Sequence, residues 1–114
     1  MNIERFENLV CWQKAEELTV FIYEILKSNK DYGFKDQIFR ASVSIMNNIA
    51  EGFERKGDNE FKHFLSISKG SCGETRSMAH LAVKLKYIDI DNYNKIISLT
   101  DEISKTIFGL MRAL

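Results

Sequence analysis

Apolar residues recur every three or four positions along nearly the whole chain, and only short breaks interrupt them. This spacing is that of one face of an α-helix, and no segment shows the strict alternation of a strand. The chain contains no proline, which is the residue that most disrupts a helix interior. We therefore predict an all-α fold.

The breaks divide the chain into four predicted helices. Asn8, Asp58 and Asp91 are the expected N-caps of the first, third and fourth helices, because short polar side chains accept backbone N–H groups there. Gly33 is expected to end the first break, and Gly57 to adopt the left-handed conformation after the second helix. The predicted helices cover about 9–28, 34–55, 58–86 and 92–113.

Short connections force consecutive helices to lie antiparallel. A chain of 114 residues can form one core but not two. We therefore predict a single domain over residues 1–114, folded as an antiparallel up-down-up-down four-helix bundle.

The second predicted helix carries more apolar surface than one bundle core needs. Its apolar residues cover roughly 200° of a helical wheel, whereas a helix that faces one core shows somewhat more than 100°. The excess must be buried deep in the bundle or against another subunit. We predict a homo-oligomer whose interface includes five residues of this helix: Phe39, Val43, Met46, Ala50 and Phe53.

The third predicted helix has a basic side on which none of its own acidic residues falls. Sixteen basic and sixteen acidic residues cancel over the chain, so attraction to nucleic acid depends on where the charges lie. The stripe is either a solvated helix face or a phosphate-binding surface repeated in each subunit of an oligomer. The candidate nucleic-acid-binding residues are Arg55, Lys56, Lys62, Lys69, Arg76 and Lys84.

Small residues occupy other positions of the same helix. Ser68 and Ser71 are expected to let a neighbouring helix approach closely. Gly70 and Gly73 each cost about 1 kcal/mol relative to alanine in a helix interior. We therefore expect close packing or a local bend at these glycines.

The motifs that could carry chemistry are weak. Glu60 and His63 match the Glu-x-x-His motif of di-iron bundles, but the chain has no second copy. A carboxylate in the first turn is also favoured by the helix dipole alone. There is no nucleophile elbow and no phosphate-binding glycine loop. We expect no catalytic residue, metal site or cofactor, no small-molecule substrate, and therefore no enzyme.

Several features concern the environment of the chain. Cys11 and Cys72 lie within apolar helical patterns, so we expect two buried reduced thiols. Trp12 is expected to pack against the core. No apolar run approaches the length of a membrane span. The N-terminal segment lacks the basic-then-apolar layout of a signal peptide, which favours a cytoplasmic location.

Three stretches carry a family resemblance: FENLVCWQKA at 6–15, ASVSIMNNIAEGFERKGDNEF at 41–61 and FLSISKGSCGE at 64–74. They resemble the bacterial four-helix bundle proteins associated with intervening sequences in 23S ribosomal RNA genes. The segment Asn48–Gly52 is the most specific part. The family's apolar-Trp-Gln-x-Ala motif is matched by Cys11–Ala15 with cysteine in the apolar place, and Met46 stands where many relatives have proline.

The resemblance implies an up-down bundle that commonly assembles as a homopentamer. The chain is also similar to the accessory proteins of diversity-generating retroelements, which are basic pentameric barrels that work with RNA and a reverse transcriptase. This chain is less basic than those proteins. Our leading hypothesis is a non-enzymatic homo-oligomer that binds structured RNA, such as ribosomal RNA, through its basic helix face. The alternative is an oligomeric protein-interaction scaffold with no nucleic-acid role, which the near-zero net charge favours.

Overall fold

The computed structural model describes residues 2–114, which contain four α-helices and no strand. A short 3₁₀ turn at Phe6–Asn8 precedes them. Each helix packs against the next one and α4 returns to α1, whereas the diagonal pairs lie farther apart. The predicted all-α up-down-up-down bundle is confirmed. Its helices are α1 (Val10–Leu26), α2 (Tyr32–Glu54), α3 (Asp58–Lys84) and α4 (Ile90–Ala113).

One apolar core runs between the four helices. Each fully buried leucine or isoleucine contributes roughly 1.5–3 kcal/mol through removal from water. Trp12 packs at the edge of this core, as predicted, with its ring centre 5.3 Å from that of Phe6. The largest fully buried apolar side chains are Leu18, Ile22, Leu26, Ile38, Ile45, Ile49, Leu65, Ile96, Ile103 and Ile107.

Both cysteines are free and buried, as expected. Burial raises the pKa of the Cys11 thiol to about 11. The Cys72 thiol donates a hydrogen bond to the Thr100 carbonyl at 3.3 Å, across the contact between α3 and α4. The two thiols are therefore held in their neutral form as small core side chains.

Buried hydroxyl groups are satisfied by backbone carbonyls. Four of the five buried hydroxyl side chains within residues 2–114 donate to a carbonyl of their own helix three or four residues earlier. The fifth, Ser68, donates across to the Ile45 carbonyl at 2.8 Å. This pairing removes the cost of burying a polar group. The five residues are Thr19, Ser42, Ser68, Thr75 and Thr100.

The helix ends differ from the prediction by a few residues because neighbouring aspartates compete as caps. Asp31 caps α2 by accepting a first-turn N–H group at 3.2 Å, so Gly33 lies inside the helix and not before it. Asp89 caps α4 in the same way at 2.7 Å, and the predicted cap Asp91 lies within the first turn.

The two other predicted caps are also wrong. Asn8 belongs to the 3₁₀ turn, and Leu9 precedes α1 without a side-chain cap bond. Asp58 is the first residue of α3, where its carboxylate is favoured by the helix dipole. Gly57 has the expected positive φ of 89°, but its ψ of 152° is extended, so it introduces α3 and does not close α2.

Small residues allow α2 and α3 to make the most extensive contact in the bundle. A Cβ at Gly52 would lie 2.7 Å from the Cβ of Phe64 and 3.3 Å from the carbonyl oxygen of Phe61. The hydroxyls of Ser44 and Ser71 meet across the same contact at 2.9 Å. The close approach predicted at the α3 serines is confirmed.

The expectation of close packing at Gly70 and Gly73 is wrong for the single chain. Both glycines are exposed, and a Cβ at either would meet no atom of the described residues within 4 Å. The α3 helix runs through both positions. Nothing in the structure explains why these positions are glycine.

The glycines provide a matched test of packing. We expect Gly52→Ala to lower the free energy of unfolding by about 1–3 kcal/mol, because the added methyl overpacks against α3. Gly70→Ala should raise it by up to about 1 kcal/mol, since helix propensity improves without a clash. Urea unfolding followed by circular dichroism measures both. Equal effects of the two substitutions would contradict the close α2–α3 contact.

Tyr87, in the connection between α3 and α4, contacts two residues at the start of α2. The Tyr87 hydroxyl donates to Asp31 Oδ2 at 2.6 Å, and the Tyr87 ring centre lies 5.2 Å from that of Phe34. The hydrogen bond from Tyr87, followed by that from the Phe34 N–H, lowers the pKa of Asp31. The same bond raises the pKa of Tyr87. Folding therefore favours charged Asp31 and neutral Tyr87.

This link predicts a pH-dependent contribution to stability. The contribution of Asp31 is present above its ordinary pKa of 3.8 and is lost as the pH falls through the lower folded-state pKa. That of Tyr87 is present below its ordinary pKa of 10.0 and is lost as the pH rises through the higher folded-state pKa. The Tyr87→Phe variant should unfold at lower urea concentration than the wild type at neutral pH, and the difference should shrink in acid.

A variant in which Asp31 is replaced by asparagine controls this measurement. In Asp31→Asn protein, Tyr87→Phe should have the same effect on the urea midpoint at about pH 5 and about pH 3, because no carboxylate titrates at the link. An acid-dependent effect in that background would show that other groups cause it.

Candidate nucleic-acid interface

The predicted basic stripe lies along the groove between α3 and α4. Lys69 Nζ is 5.1 Å from the centre of the Phe108 ring, and Arg76 Nη1 is 3.8 Å from Asp101 Oδ1. Seven residues forward along α3 thus correspond to seven residues backward along α4. This antiparallel register determines which α4 side chain meets each cation of the stripe.

Arg76 is partly neutralised by α4. Its side chain and that of Asp101 are 43% and 49% exposed, so their ion pair contributes at most about 1 kcal/mol. The Arg76 Nε atom is buried and has no hydrogen-bond partner within residues 2–114. The prediction of a stripe without acidic residues is therefore wrong, because α4 supplies Asp101, and Asp58, the first residue of α3, lies on the same helix face as Arg76.

Arg55, at the start of the predicted stripe, is also paired. Its guanidinium lies 2.7 Å from the Glu51 carboxylate and 3.9 Å from that of Glu60. The hydrogen bond to Glu51 raises the pKa of Arg55. Two carboxylates thus offset this cation. Lys56 and Lys84, at the start of the stripe and the end of α3, are exposed.

The other two predicted cations, Lys62 and Lys69, form a surface together with residues of α4. Lys69 faces Phe108, and one more seven-residue step along α3 places Lys62 just past the C-terminal end of α4. Arg112 Cζ lies 5.7 Å from the Phe108 ring centre, and Lys105 lies one turn before that ring. We call these five residues the Phe108 patch: Lys62, Lys69, Lys105, Phe108 and Arg112.

The cations of the Phe108 patch have no acidic partner in the part of the chain that the structure describes. None of the four lies within 4.0 Å of a carboxylate there, unlike Arg55 and Arg76. Phe108 itself is 50% exposed. The patch therefore presents positive charge around an accessible aromatic ring.

Sequence reasoning identified Lys62 and Lys69 but missed the α4 half of the patch. The sequence of α4 contains the pattern that would have identified them: Lys105, Phe108 and Arg112 are spaced by three and four residues and share one helix face. That this face meets the α3 lysines depends on the packing of the two helices.

The predicted oligomer-interface residues lie on one side of α2, away from the Phe108 patch. Phe39 faces α1, whereas Phe53 packs against Phe61 of α3 with ring centres 5.8 Å apart. All five are half-buried in the single chain: Phe39, Val43, Met46, Ala50 and Phe53. Phe39 packs against Tyr23 with ring centres 6.0 Å apart. A surface groove of about 360 Å³ adjoins this pair, and Tyr23 and Tyr32 in its lining are 55% and 67% exposed.

The polar side of α2 is held by hydrogen bonds within the helix. The Asn48 amide donates to the Ser44 carbonyl at 2.9 Å and to the Ser44 hydroxyl at 3.0 Å. Arg40 pairs with Asp36 at 3.0 Å. These bonds account for polar residues that interrupt the apolar pattern of this helix.

Neither a metal centre nor a membrane span is found in the described residues. Within 2–114, no three histidine, cysteine, aspartate or glutamate side chains are grouped to hold a metal ion. None of the helices in that range combines the length and apolar character needed to cross a bilayer. The weak Glu60–His63 motif contains only two candidate ligands, and His63 packs against Phe64 with ring centres 5.4 Å apart.

These features define a four-helix bundle with an apolar groove on one side and a cationic patch on the other. The chain belongs to the 23S rRNA-intervening sequence protein family, whose family model matches residues 7–109. It is similar to a protein of unknown function from the S23 ribosomal protein family of Bacteroides thetaiotaomicron, whose crystal structure is solved. The sequences are 27% identical, and the match has a TM-score of 0.83 over 90% of this chain and 98% of that one. No curated protein shows significant similarity to the chain.

Proposed function

We propose that this protein is a non-enzymatic homo-oligomer that binds structured RNA through the face between α3 and α4. The Phe108 patch carries this proposal, because none of its four cations lies within 4.0 Å of a carboxylate of the described residues, although the net charge of the chain is zero. The family's association with 23S ribosomal RNA supports RNA as the partner.

A few lysines bind RNA phosphates only weakly. The affinity rises when several subunits present the same lysines to one RNA. Each RNA phosphate that a cation neutralises releases condensed counterions, so binding weakens as salt rises. A single subunit offers four such cations in the patch. An oligomer that presents several patches to one RNA gains avidity because the later contacts form within one complex.

Charge reversal tests the RNA-binding surface. We expect Lys62→Glu combined with Lys69→Glu to weaken binding of a fluorescently labelled 23S ribosomal RNA fragment by about tenfold or more at low salt, and to reduce the salt dependence. Fluorescence anisotropy measures the affinity. Lys30→Glu with Lys86→Glu is the matched control, because it changes the net charge equally with two exposed lysines at the far end of the bundle. Equal losses in both variants, or no binding by wild type, would refute the proposal.

The homo-oligomer rests on the groove between α1 and α2. Its half-buried aliphatic and aromatic residues extend the apolar surface beyond the core, and a second subunit would remove them from water. The family resemblance points to a pentamer. A ring of this kind requires each subunit to use two different surfaces, one toward each neighbour.

A single buried charge should dissociate such an assembly. We expect Val43→Glu to shift the mass measured by light scattering from oligomer to monomer at micromolar concentration, because an unpaired carboxylate would be desolvated at the interface. Gln37→Glu, which is exposed and lies about 120° from Val43 around the α2 axis, should leave the mass unchanged. A wild-type protein that is monomeric at that concentration would contradict the oligomer.

A protein-interaction scaffold is the second candidate function. The exposed tyrosines of the α1–α2 groove favour it, since tyrosine is enriched at protein interfaces. A defined protein partner that still binds after nuclease treatment, and is lost with Tyr23→Ala, would support this function over RNA binding.

A further inference from the structure

The Phe108 patch combines an accessible aromatic ring with surrounding cations. Half of Phe108 is exposed, and both Lys69 Nζ and Arg112 Cζ lie within 6 Å of its ring centre. We infer that Phe108 stacks on an unpaired base of a single-stranded RNA segment while the four cations bind the neighbouring phosphates. This inference rests on the proposed RNA-binding function and names the form of RNA that the surface recognises.

The exposed ring is what separates this surface from a merely basic one. Phosphate contacts need only cations, and they do not distinguish paired from unpaired RNA. An aromatic ring adds affinity only if it reaches the face of a base, and in an RNA helix those faces are stacked against each other. A half-exposed phenylalanine among lysines therefore favours loops, bulges and single strands.

The cations over the ring do not prevent stacking. An exposed cation–aromatic contact changes an equilibrium by a factor of about two to five, whereas one base stacked on an aromatic side chain changes it by roughly five- to 150-fold. A base can therefore replace Lys69 or Arg112 over Phe108. The displaced cation remains within reach of the phosphate that accompanies the base.

The three other cation–aromatic contacts within residues 2–114 lack one of these features. Arg55 lies 5.0 Å from the centre of the Phe64 ring, but two carboxylates offset that cation. Lys95 lies 4.5 Å from the centre of the Phe21 ring, but Phe21 is half-buried against the core. Lys35 lies 4.9 Å from the ring centre of Tyr32, which is 67% exposed. Only one cation of the described residues contacts that ring, and the ring lines the groove between α1 and α2. Tyr32 therefore controls for the loss of an exposed aromatic ring outside the patch.

The test compares two RNA probes with four proteins. The probes are a labelled twelve-nucleotide oligouridylate and a labelled twelve-base-pair RNA duplex, and the proteins are the wild type, Phe108→Leu, Tyr32→Leu and the Lys62→Glu/Lys69→Glu double variant. We expect Phe108→Leu to weaken binding of the single strand by about five- to 100-fold and to leave duplex binding within about twofold. Tyr32→Leu should leave the ratio of the two affinities unchanged, because any effect on the assembly through the α1–α2 groove would weaken binding of both probes alike. The double variant should weaken both.

A fluorescence measurement reports stacking directly. In a Trp12→Phe background, Phe108→Trp introduces one tryptophan at the patch. Its emission should be quenched by the single-stranded probe and not by the duplex. Quenching separates base stacking from a structural effect of Phe108→Leu, because it requires the base to contact the ring.

The outcomes distinguish this inference from the function on which it rests. If Phe108→Leu leaves single-strand affinity unchanged while the lysine double variant loses it, the stacking is wrong and the RNA-binding surface stands. If wild type binds neither probe nor the ribosomal fragment, RNA binding itself is wrong. If Phe108→Leu instead changes the mass of the assembly, Phe108 is a subunit contact, which also overturns the inference.

Discussion

The close contact between α2 and α3 is the constraint on which the rest of the bundle depends. Gly52 lets the α2 backbone approach the two phenylalanines at the start of α3, and Ser68 joins the helices by a hydrogen bond to the Ile45 carbonyl. The connection between these helices is only three residues long. Together these features set the rotation of α3 about its axis. That rotation buries one face and directs the basic stripe toward α4.

The packing of α4 then decides which cations remain available. All four predicted lysines and arginines from Lys62 to Lys84 lie on α3, but α4 brings a carboxylate to one of them and an aromatic ring to another. The sequence of α3 alone contains no sign of this difference. A neutral chain can therefore present a local positive surface without an excess of basic residues.

The two unusual surfaces lie on opposite sides of the molecule. The apolar groove belongs to α1 and α2, and the Phe108 patch to α3 and α4. A subunit contact confined to the groove would not cover the patch. The arrangement suits a protein whose single subunit binds weakly and whose oligomer binds through repeated contacts.

Apolar periodicity and short connections were enough to predict the helices, their order and the core face of α2, because they leave few other folds. Cap positions could not be predicted where two aspartates near one helix start both fit the capping pattern, as Asp89 and Asp91 do. Two of the five patch residues could be predicted, since Lys62 and Lys69 share a helix face. Only the tertiary structure joined them to Phe108 and Arg112, because the register between α3 and α4 is set by side-chain packing across the core and not by spacing within either helix.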